Sequence, residues 1–140
     1  APAAPLGSHP RRPGRGACDQ QDVIEAMRRS ALFVLPSRLA AAGDRVGLPT
    51  VMMEAASLCL PILSTAVSAI PEFIESGRHG MLVSDKPEAL AGAMAEIAAN
   101  PEAARTRAEA AFERLKSDFA MDPGIKLLSS LLDEMCGVAR

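Results

Sequence analysis

The chain has 140 residues, 49% hydrophobic and 23% charged, which is enough to bury the core of one globular domain. The net charge is −2, and the only basic concentration is three arginines within residues 1–17, so a broad basic surface for nucleic acid is excluded. Four phenylalanines without tyrosine or tryptophan also exclude a platform for stacked bases. Three widely spaced cysteines without a CxxC pair argue against a disulfide framework or a zinc site and suit a reducing cytosol.

The N-terminal part combines a tail, a helix and a strand. Residues 1–17 are rich in Pro, Gly and Arg and are predicted to be disordered. Asp19 predicts an N-cap for a helix that runs to about residue 30, with an apolar stripe at Val23, Ile24 and Met27. A short buried strand is predicted over residues 31–35, where Pro36 stops it. No apolar run is long enough to predict a membrane span, and no signal-peptide core is present.

The middle of the chain is predicted to alternate between helix and strand. After a polar loop over residues 37–46, a helix is expected to begin near Leu48-Pro49, because proline is tolerated at a first helical position, and to end near Cys59. A second strand is predicted over residues 61–64, followed by a loop of small residues over 65–69. A helical turn over residues 71–75, closed by Gly77, then leads to a third strand over residues 80–83.

The rest of the chain is predicted to be helical. Ser84 or Asp85 is expected to cap a helix whose apolar positions are Leu90, Met94 and Ile97. Pro101 is expected to open a charged helix, and Pro123 a final leucine-rich helix. Alternating helices and short buried strands predict an α/β fold with a parallel sheet of about three strands, fewer than a complete doubly wound sheet contains.

One segment, residues 43–72, contains a candidate phosphate site. A helix N-terminus presents unpaired N–H groups and a partial positive charge, which together bind phosphate. Glycine permits close backbone approach, so the amides of Gly47 and Leu48 are the predicted ligands, while Glu54 could accept hydrogen bonds from sugar hydroxyls. From the residues alone, an ordinary helix start followed by an exposed glutamate is the commoner explanation.

Six short motifs then occur in an order that matches a known family. They are Val34-Leu35-Pro36-Ser37, Gly47-Leu48-Pro49, Met53-Glu54-Ala55, Leu60-Pro61-Ile62, Ile70-Pro71-Glu72, and the segment from Gly77 to Val83. From about Asp22 to its C-terminus the chain resembles the C-terminal domain of retaining GT-B glycosyltransferases, the "glycosyl transferases group 1". The resemblance implies that residues 18–140 are a truncated donor-binding domain, a partial Rossmann-like sheet forming the C-terminal half of a GT-B glycosyltransferase.

The resemblance also implies an activity and a set of site residues. Sugar would be transferred from a nucleotide-diphosphate donor, which is a substrate, so neither a cofactor nor a metal is expected. Glu54 would hold the ribose, and the other donor-binding residues would be Gly47, Leu48, Glu72 and Arg38. Val46 stands eight positions before Glu54, where the family has an acidic residue near the donor sugar, so the catalytic residue is unknown.

Other residues depart from the family pattern or have simpler explanations. Cys59 replaces a usual glycine, and its β-carbon is expected to crowd the turn. Ser68-Ala69 replaces a Gly-Gly pair, which we expect to be benign because both residues are small. Glu72 is more often a cap for the adjacent helical turn than a ligand. His79 is expected to be a solvated loop residue rather than a base.

The resemblance implies a role in cell-envelope or exopolysaccharide synthesis. It also implies a cytoplasmic location, which includes peripheral association with the inner face of the membrane. The expected partners are the nucleotide sugar and either an N-terminal GT-B half or a second copy of the chain. The alternative is a non-catalytic remnant, or an interaction module of a split enzyme with a degraded donor site, as Val46 suggests. In both cases we expect the chain to be inactive alone.

Overall fold

A computed structural model describes residues 16–38 and 47–119. Five helices and three strands alternate along them: α1 (Gln20–Arg28), β1 (Phe33–Leu35), α2 (Thr50–Ser57), β2 (Ile62–Thr65), α3 (Ile70–Phe73), β3 (Met81–Val83), α4 (Pro87–Ala99) and α5 (Pro101–Asp118). The strands are parallel, in the order β1-β2-β3. The predicted α/β fold with a three-stranded parallel sheet is therefore confirmed, whereas the predictions for residues 1–15 and the final helix lie outside the described residues.

The core lies on both faces of β2, the central strand. All four residues of β2 are buried, as expected of a parallel strand covered on both sides. Ile62 belongs to a cluster with residues of α1, α2, α3 and α5, whereas Leu63 belongs to a second cluster with residues of α4 and α5. Successive side chains of a strand point to opposite faces, so this one strand supports both halves of the core.

The first helix begins where its cap predicts. Asp19 is the N-cap of α1, and its Oδ1 accepts a hydrogen bond from the N–H of Asp22 at 2.9 Å. The start of α2 lies beside the predicted Leu48-Pro49 pair, because the helix begins at Thr50 and Pro49 is its N-cap. Pro49 has an extended backbone (ψ 124°), so it precedes the first helical residue rather than occupying the first turn.

The predicted cap of α4 is wrong. The N-cap is Lys86, which makes no side-chain capping bond, and Pro87 occupies the first turn. Asp85 instead forms an ion pair with Arg38. Met94 is 43% exposed rather than inward, because Ala93 and Ile97 are the positions of α4 that are buried in the core.

Two further expectations are corrected. Glu72 does not cap a helical turn: it lies inside α3, whose N-cap Ala69 has no side-chain capping bond. His79 is not a solvated loop residue, because only 4% of it is exposed. The turn that carries His79 lies against β2, and it is closed by a hydrogen bond from the N–H of Gly77 to the carbonyl of Gly80 at 2.8 Å.

Candidate functional site

Two neighbouring cavities lie where the parallel strands end, and we call them together the carboxyl-edge site. The larger has a volume of about 610 Å³ and the smaller about 180 Å³, and both are lined by Ser37, Arg38 and Val67. The larger is completed by Thr65, Ala66, Leu82, Val83, Ser84 and Asp85, and the smaller by Gly47, Pro49, Ser68 and Ile70. Open α/β sheets bind their ligands at this edge, so the site is in the expected place.

Buried hydroxyl groups fix the backbone below these cavities. Ser64 donates from Oγ to the carbonyl oxygen of Leu35 at 2.7 Å. Thr65 donates from Oγ1 to the carbonyl oxygen of Ser37 at 2.6 Å. The carbonyl of Leu35 also accepts from the N–H of Ser37 at 2.9 Å, so these bonds together hold the Ser37-Arg38 segment at the mouth of the site. Sequence reasoning did not single out these hydroxyls, although two polar residues at the end of an apolar strand are a usable signal.

Arg38 is the cation of the carboxyl-edge site. Its Nε lies 3.0 Å from Oδ2 of Asp85, with the two side chains 71% and 50% exposed. An ion pair this exposed contributes only about 0–1 kcal/mol, so Arg38 can exchange Asp85 for an anionic ligand at little cost. Asp85 was predicted as a helix cap and was not considered as the counterion of Arg38.

The start of α2 borders the smaller cavity through Gly47 and Pro49. A Cβ at Gly47 would meet none of the described atoms within 4 Å, so no contact in the described part of the chain requires glycine there. The side chain of Leu48 packs against the core, which leaves only its backbone for a ligand. Because the first N–H groups of a helix have no intrahelical acceptor, those of Thr50 and Val51 join Gly47 and Leu48 as candidate phosphate ligands.

Glu54 lines a different cavity from Arg38 and Gly47. This cavity, of about 530 Å³, lies between α2 and α5 and is lined by Thr50, Met53, Glu54, Ser57, Phe112, Leu115 and Lys116. Oε1 of Glu54 accepts a hydrogen bond from Nε2 of Gln20 at 3.0 Å, which orients the carboxylate from the first turn of α1. Thr50 and Glu54 are four residues apart and share one face of α2, so this face leads from the helix start to the carboxylate.

The other predicted site residues are not part of these cavities in the described structure. Glu72 is exposed and is not among the described residues that line the three cavities above, although its carbonyl accepts a hydrogen bond from Arg114. Val46 lies outside the described residues. Within those residues, no group of three or more His, Cys, Asp or Glu side chains could hold a metal ion. None of the helices described is both long and apolar enough to span a membrane.

Comparison with known proteins identifies sequence relatives. The family model described as "Glycosyl transferases group 1" matches residues 13–100. WcaL of Salmonella typhimurium, provisionally named a colanic acid biosynthesis glycosyltransferase, is 36% identical over 115 residues, which are 78% of this chain and 28% of WcaL. The amylovoran biosynthesis glycosyltransferase AmsK of Erwinia amylovora is 40% identical over 78 residues, which are 56% of this chain and 18% of AmsK. The chain therefore spans less than a third of these relatives.

Solved structures share the fold. Sucrose-phosphate synthase from Thermosynechococcus elongatus matches with a TM-score of 0.74 and 22% identity over 89% of this chain and 30% of its own. The C-terminal domain of a glycosyl transferase group 1 family protein (LpcC) from Francisella tularensis matches with a TM-score of 0.58 and 17% identity over 75% of this chain and 51% of its own. These likenesses confirm the predicted partial Rossmann-like fold of the GT-B type.

Proposed function

Since the chain belongs to the group 1 glycosyl transferases, we propose that it is the donor-binding part of an enzyme that transfers sugar from a nucleotide-diphosphate sugar with retention of configuration. The observation that carries this proposal is the meeting of Arg38, Gly47 and the start of α2 at the carboxyl edge of the sheet. The names of WcaL and AmsK support exopolysaccharide synthesis as the pathway. We propose that the enzyme acts in the cytoplasm, at the inner face of the membrane.

The diphosphate of the donor would bind at the smaller cavity. The N–H groups at the start of α2 would point at its oxygens, and Arg38 would leave Asp85 to pair with it. When the bond between the sugar and the diphosphate breaks, negative charge grows on the departing diphosphate. The helix N-terminus and the guanidinium would stabilise that charge, so the same groups serve binding and leaving-group departure.

The ribose would bind further along α2. Glu54 shares a face with Thr50, so a donor whose diphosphate lies at the helix start can extend its nucleoside along this face toward the carboxylate. The hydrogen bond from Gln20 leaves the other carboxylate oxygen to accept from sugar hydroxyls. Glu72 is proposed to act only through its neighbours in α3, of which Ile70 lines the smaller cavity.

Nucleotide binding by this chain tests the donor-site assignment. We expect calorimetry to detect binding of UDP, GDP or ADP, and Glu54→Ala to weaken it roughly tenfold to a hundredfold. A hydrogen bond to a charged group contributes about 1.5–3 kcal/mol, which corresponds to this loss of affinity. Glu96→Ala, on the exposed face of α4, is the matched control and should bind as the unaltered chain does. Absence of heat with all three nucleotides would refute the donor site.

The second candidate is a remnant or the donor half of a split enzyme, and Val46 is the observation that favours it. A valine can neither accept hydrogen bonds from the donor sugar nor stabilise positive charge developing on it, so the chain alone is proposed to bind nucleotide without transferring sugar. Co-expression with an N-terminal GT-B half, followed by a pull-down and a transfer assay, separates these alternatives. Recovered transfer identifies a split enzyme, whereas a failure to associate identifies a remnant.

A further inference from the structure

A polar cluster lies at the end of α3 that faces away from the carboxyl-edge site. Arg114 of α5 donates from Nη2 to the carbonyl oxygen of Glu72 at 2.7 Å. Its Nη1 lies 3.5 Å from Nδ1 of His79. The backbone N–H of Glu75 donates to the same Nδ1 at 3.3 Å. One guanidinium therefore joins α5 to α3 and to the turn that carries His79.

The geometry determines the protonation state of His79. Both neighbours of Nδ1 can only donate hydrogen bonds, so Nδ1 must keep its lone pair and the ring carries its proton on Nε2. Burial of the ring, and then the positive charges of Arg114 and Arg78, lower its pKa, while Glu75 and Asp118 act in the opposite direction. A fifth charged residue, Glu113 of α5, lines the same cavity as His79, so the charged groups around the ring come from its own turn and from α5. The neutral ring is therefore the form that the fold accommodates.

The position of Arg114 depends on these same contacts. Its Nε is buried and has no hydrogen-bond partner among the described residues, and Oδ2 of Asp118 is 3.7 Å away. The carbonyl of Glu72 and the ring of His79 are thus the groups that hold its two terminal nitrogens. The side chain as a whole is 26% exposed, so the few contacts that hold the guanidinium decide its position, and the loss of either one should displace it.

This cluster is connected to the carboxyl-edge site through α3, which is one turn long. Ile70, its first residue, lines the smaller cavity together with Val67 and Ser68. Ser68 has a φ of 50°, a conformation that costs an L-residue energy and persists only when its surroundings impose it. At the other end of α3, Arg114 holds the carbonyl of Glu72, and we call this contact the anchor. A single helical turn therefore separates the anchor from the strained Ser68 at the wall of the smaller cavity.

We propose that His79 and Arg114 are positioning residues that form a latch, holding residues 67–70 as the wall of the donor cavity, and that protonation of His79 opens it. The latch rests on the proposed function, because the wall belongs to the proposed donor site. If Nδ1 took a proton from solvent, its new N–H would point at two groups that can only donate hydrogen bonds. The ring would also become positive beside the positive guanidinium of Arg114. The guanidinium would then withdraw, Glu72 would lose its partner, and α3 would no longer hold Ser68.

The pH profile of nucleotide binding tests the latch. We compare the unaltered chain with His79→Asn, since an asparagine oxygen can accept near the position of Nδ1 and does not titrate. The probe is whichever of UDP, GDP and ADP binds best, measured from about pH 7.5 to about pH 5. The unaltered chain should lose roughly tenfold more affinity than His79→Asn, the effect of one hydrogen bond to a charged group. Titration of the nucleotide affects both proteins equally, so coincident profiles would overturn the latch.

An arginine substitution tests the anchor without titration. Arg114→Lys keeps the charge but lacks the planar fork that joins Glu72 to His79, so at about pH 7.5 it should weaken binding roughly threefold to tenfold. At about pH 5 it should differ less from the unaltered chain, because protonation of His79 has by then released Arg114 there too. Arg105→Lys, at a position of the same helix whose side chain is 82% exposed, is the matched control. Equal affinities for the two variants would contradict a positioning role for Arg114.

Amide hydrogen exchange without nucleotide separates this proposal from the donor site itself. At about pH 5, amides of α3 should exchange faster in the unaltered chain than in His79→Asn, and near neutral pH the two should agree. If the chain binds no nucleotide but its α3 amides exchange faster than those of His79→Asn, the proposed function is refuted while the pH-sensitive contact of Arg114 is supported. A chain that binds nucleotide without showing this difference in exchange refutes the latch.

Discussion

Cys59 and Ser68 hold the backbone in the left-handed region, with φ of 52° and 50°. Cys59 follows α2, where its N–H donates to the carbonyl of Ala56 at 3.0 Å and the N–H of Leu60 donates to that of Ala55 at 3.1 Å. This pair of bonds is a Schellman motif, in which the left-handed residue is usually glycine. Glycine, which the resemblance implies at both positions, would adopt this backbone conformation without steric cost. The expected crowding by the β-carbon of Cys59 is not found, because this side chain is exposed. The serine at position 68, which we expected to be benign, has a conformational cost.

Cys59→Gly is expected to stabilise the protein. The left-handed conformation costs an L-residue roughly 1–2 kcal/mol, whereas glycine loses roughly 0.5–1 kcal/mol of backbone entropy on folding. The difference predicts a gain of about 0.5–1 kcal/mol in the free energy of unfolding, measured in urea. Ser57→Gly, two residues earlier in the helical part, should instead lose about 0.5–1 kcal/mol, so a gain in both variants would contradict the conformational argument.

At the scale of elements, the turn from Gly77 to Gly80 lies close against the sheet. A Cβ at Gly80 would lie 2.8 Å from the carbonyl oxygen of Ile62, an atom of the central strand that cannot move without disturbing the core. Gly77 has a φ of 85° and meets no such obstacle. Gly80 is thus required for close packing, and Gly77 for conformation. The motif places His79 between them, which accounts for its burial.

Gly80→Ala is expected to destabilise the fold. The methyl group would force apart the turn and β2, which corresponds to an overpacking penalty of roughly 1–3 kcal/mol. Gly92→Ala is the matched control, since a Cβ there meets no atom within 4 Å and alanine favours the helical backbone of α4 by about 0.5–1 kcal/mol. Urea unfolding should therefore show opposite signs for the two variants. A loss of stability in both would argue against steric contact as the cause.

In the molecule as a whole, α5 joins the two halves of the core. Its buried positions are Ala104, Ala108 and Ala111, whose small side chains let the helix approach its neighbours closely. Ala104 belongs to the cluster around Leu63 and Ala111 to the cluster around Ile62, which lie on opposite faces of β2. Near its end, α5 also places Phe119 edge-on against Phe73, with ring centroids 4.9 Å apart. Groups that hold α5 therefore act on global stability.

The stability of the protein is expected to fall in mild acid. The folded state lowers the pKa of His79 below the ordinary value of about 6.5, so the unfolded chain binds the proton first as the pH decreases. Stability should be constant above about pH 6.5 and decrease below it, until the lowered pKa of the folded state is passed. Urea midpoints for the unaltered chain and His79→Asn should diverge below about pH 6.5. Parallel curves would show that His79 is not responsible.

Much of the fold could be predicted because its signals are local. The cap at Asp19, the strand that stops before Pro36 and the apolar run of β2 act within a few residues, and six short motifs identified the family. The candidate phosphate site was expected at the helix start within residues 43–72, and Arg38 was expected among the donor-binding residues. Arg38 and Gly47 line one cavity in the structure, while their roles are still predictions.

Packing between distant segments decided the rest. Asp85 meets Arg38 rather than capping α4, and Glu54 opens into a cavity formed with α5 rather than into that of Arg38. His79 meets Arg114, which lies 35 residues later, a pairing that no local pattern contains. Periodicity and capping signals report on neighbours along the chain. Charge pairing, burial and the grouping of side chains into cavities depend on which segments meet, and the three-dimensional fold alone determines that.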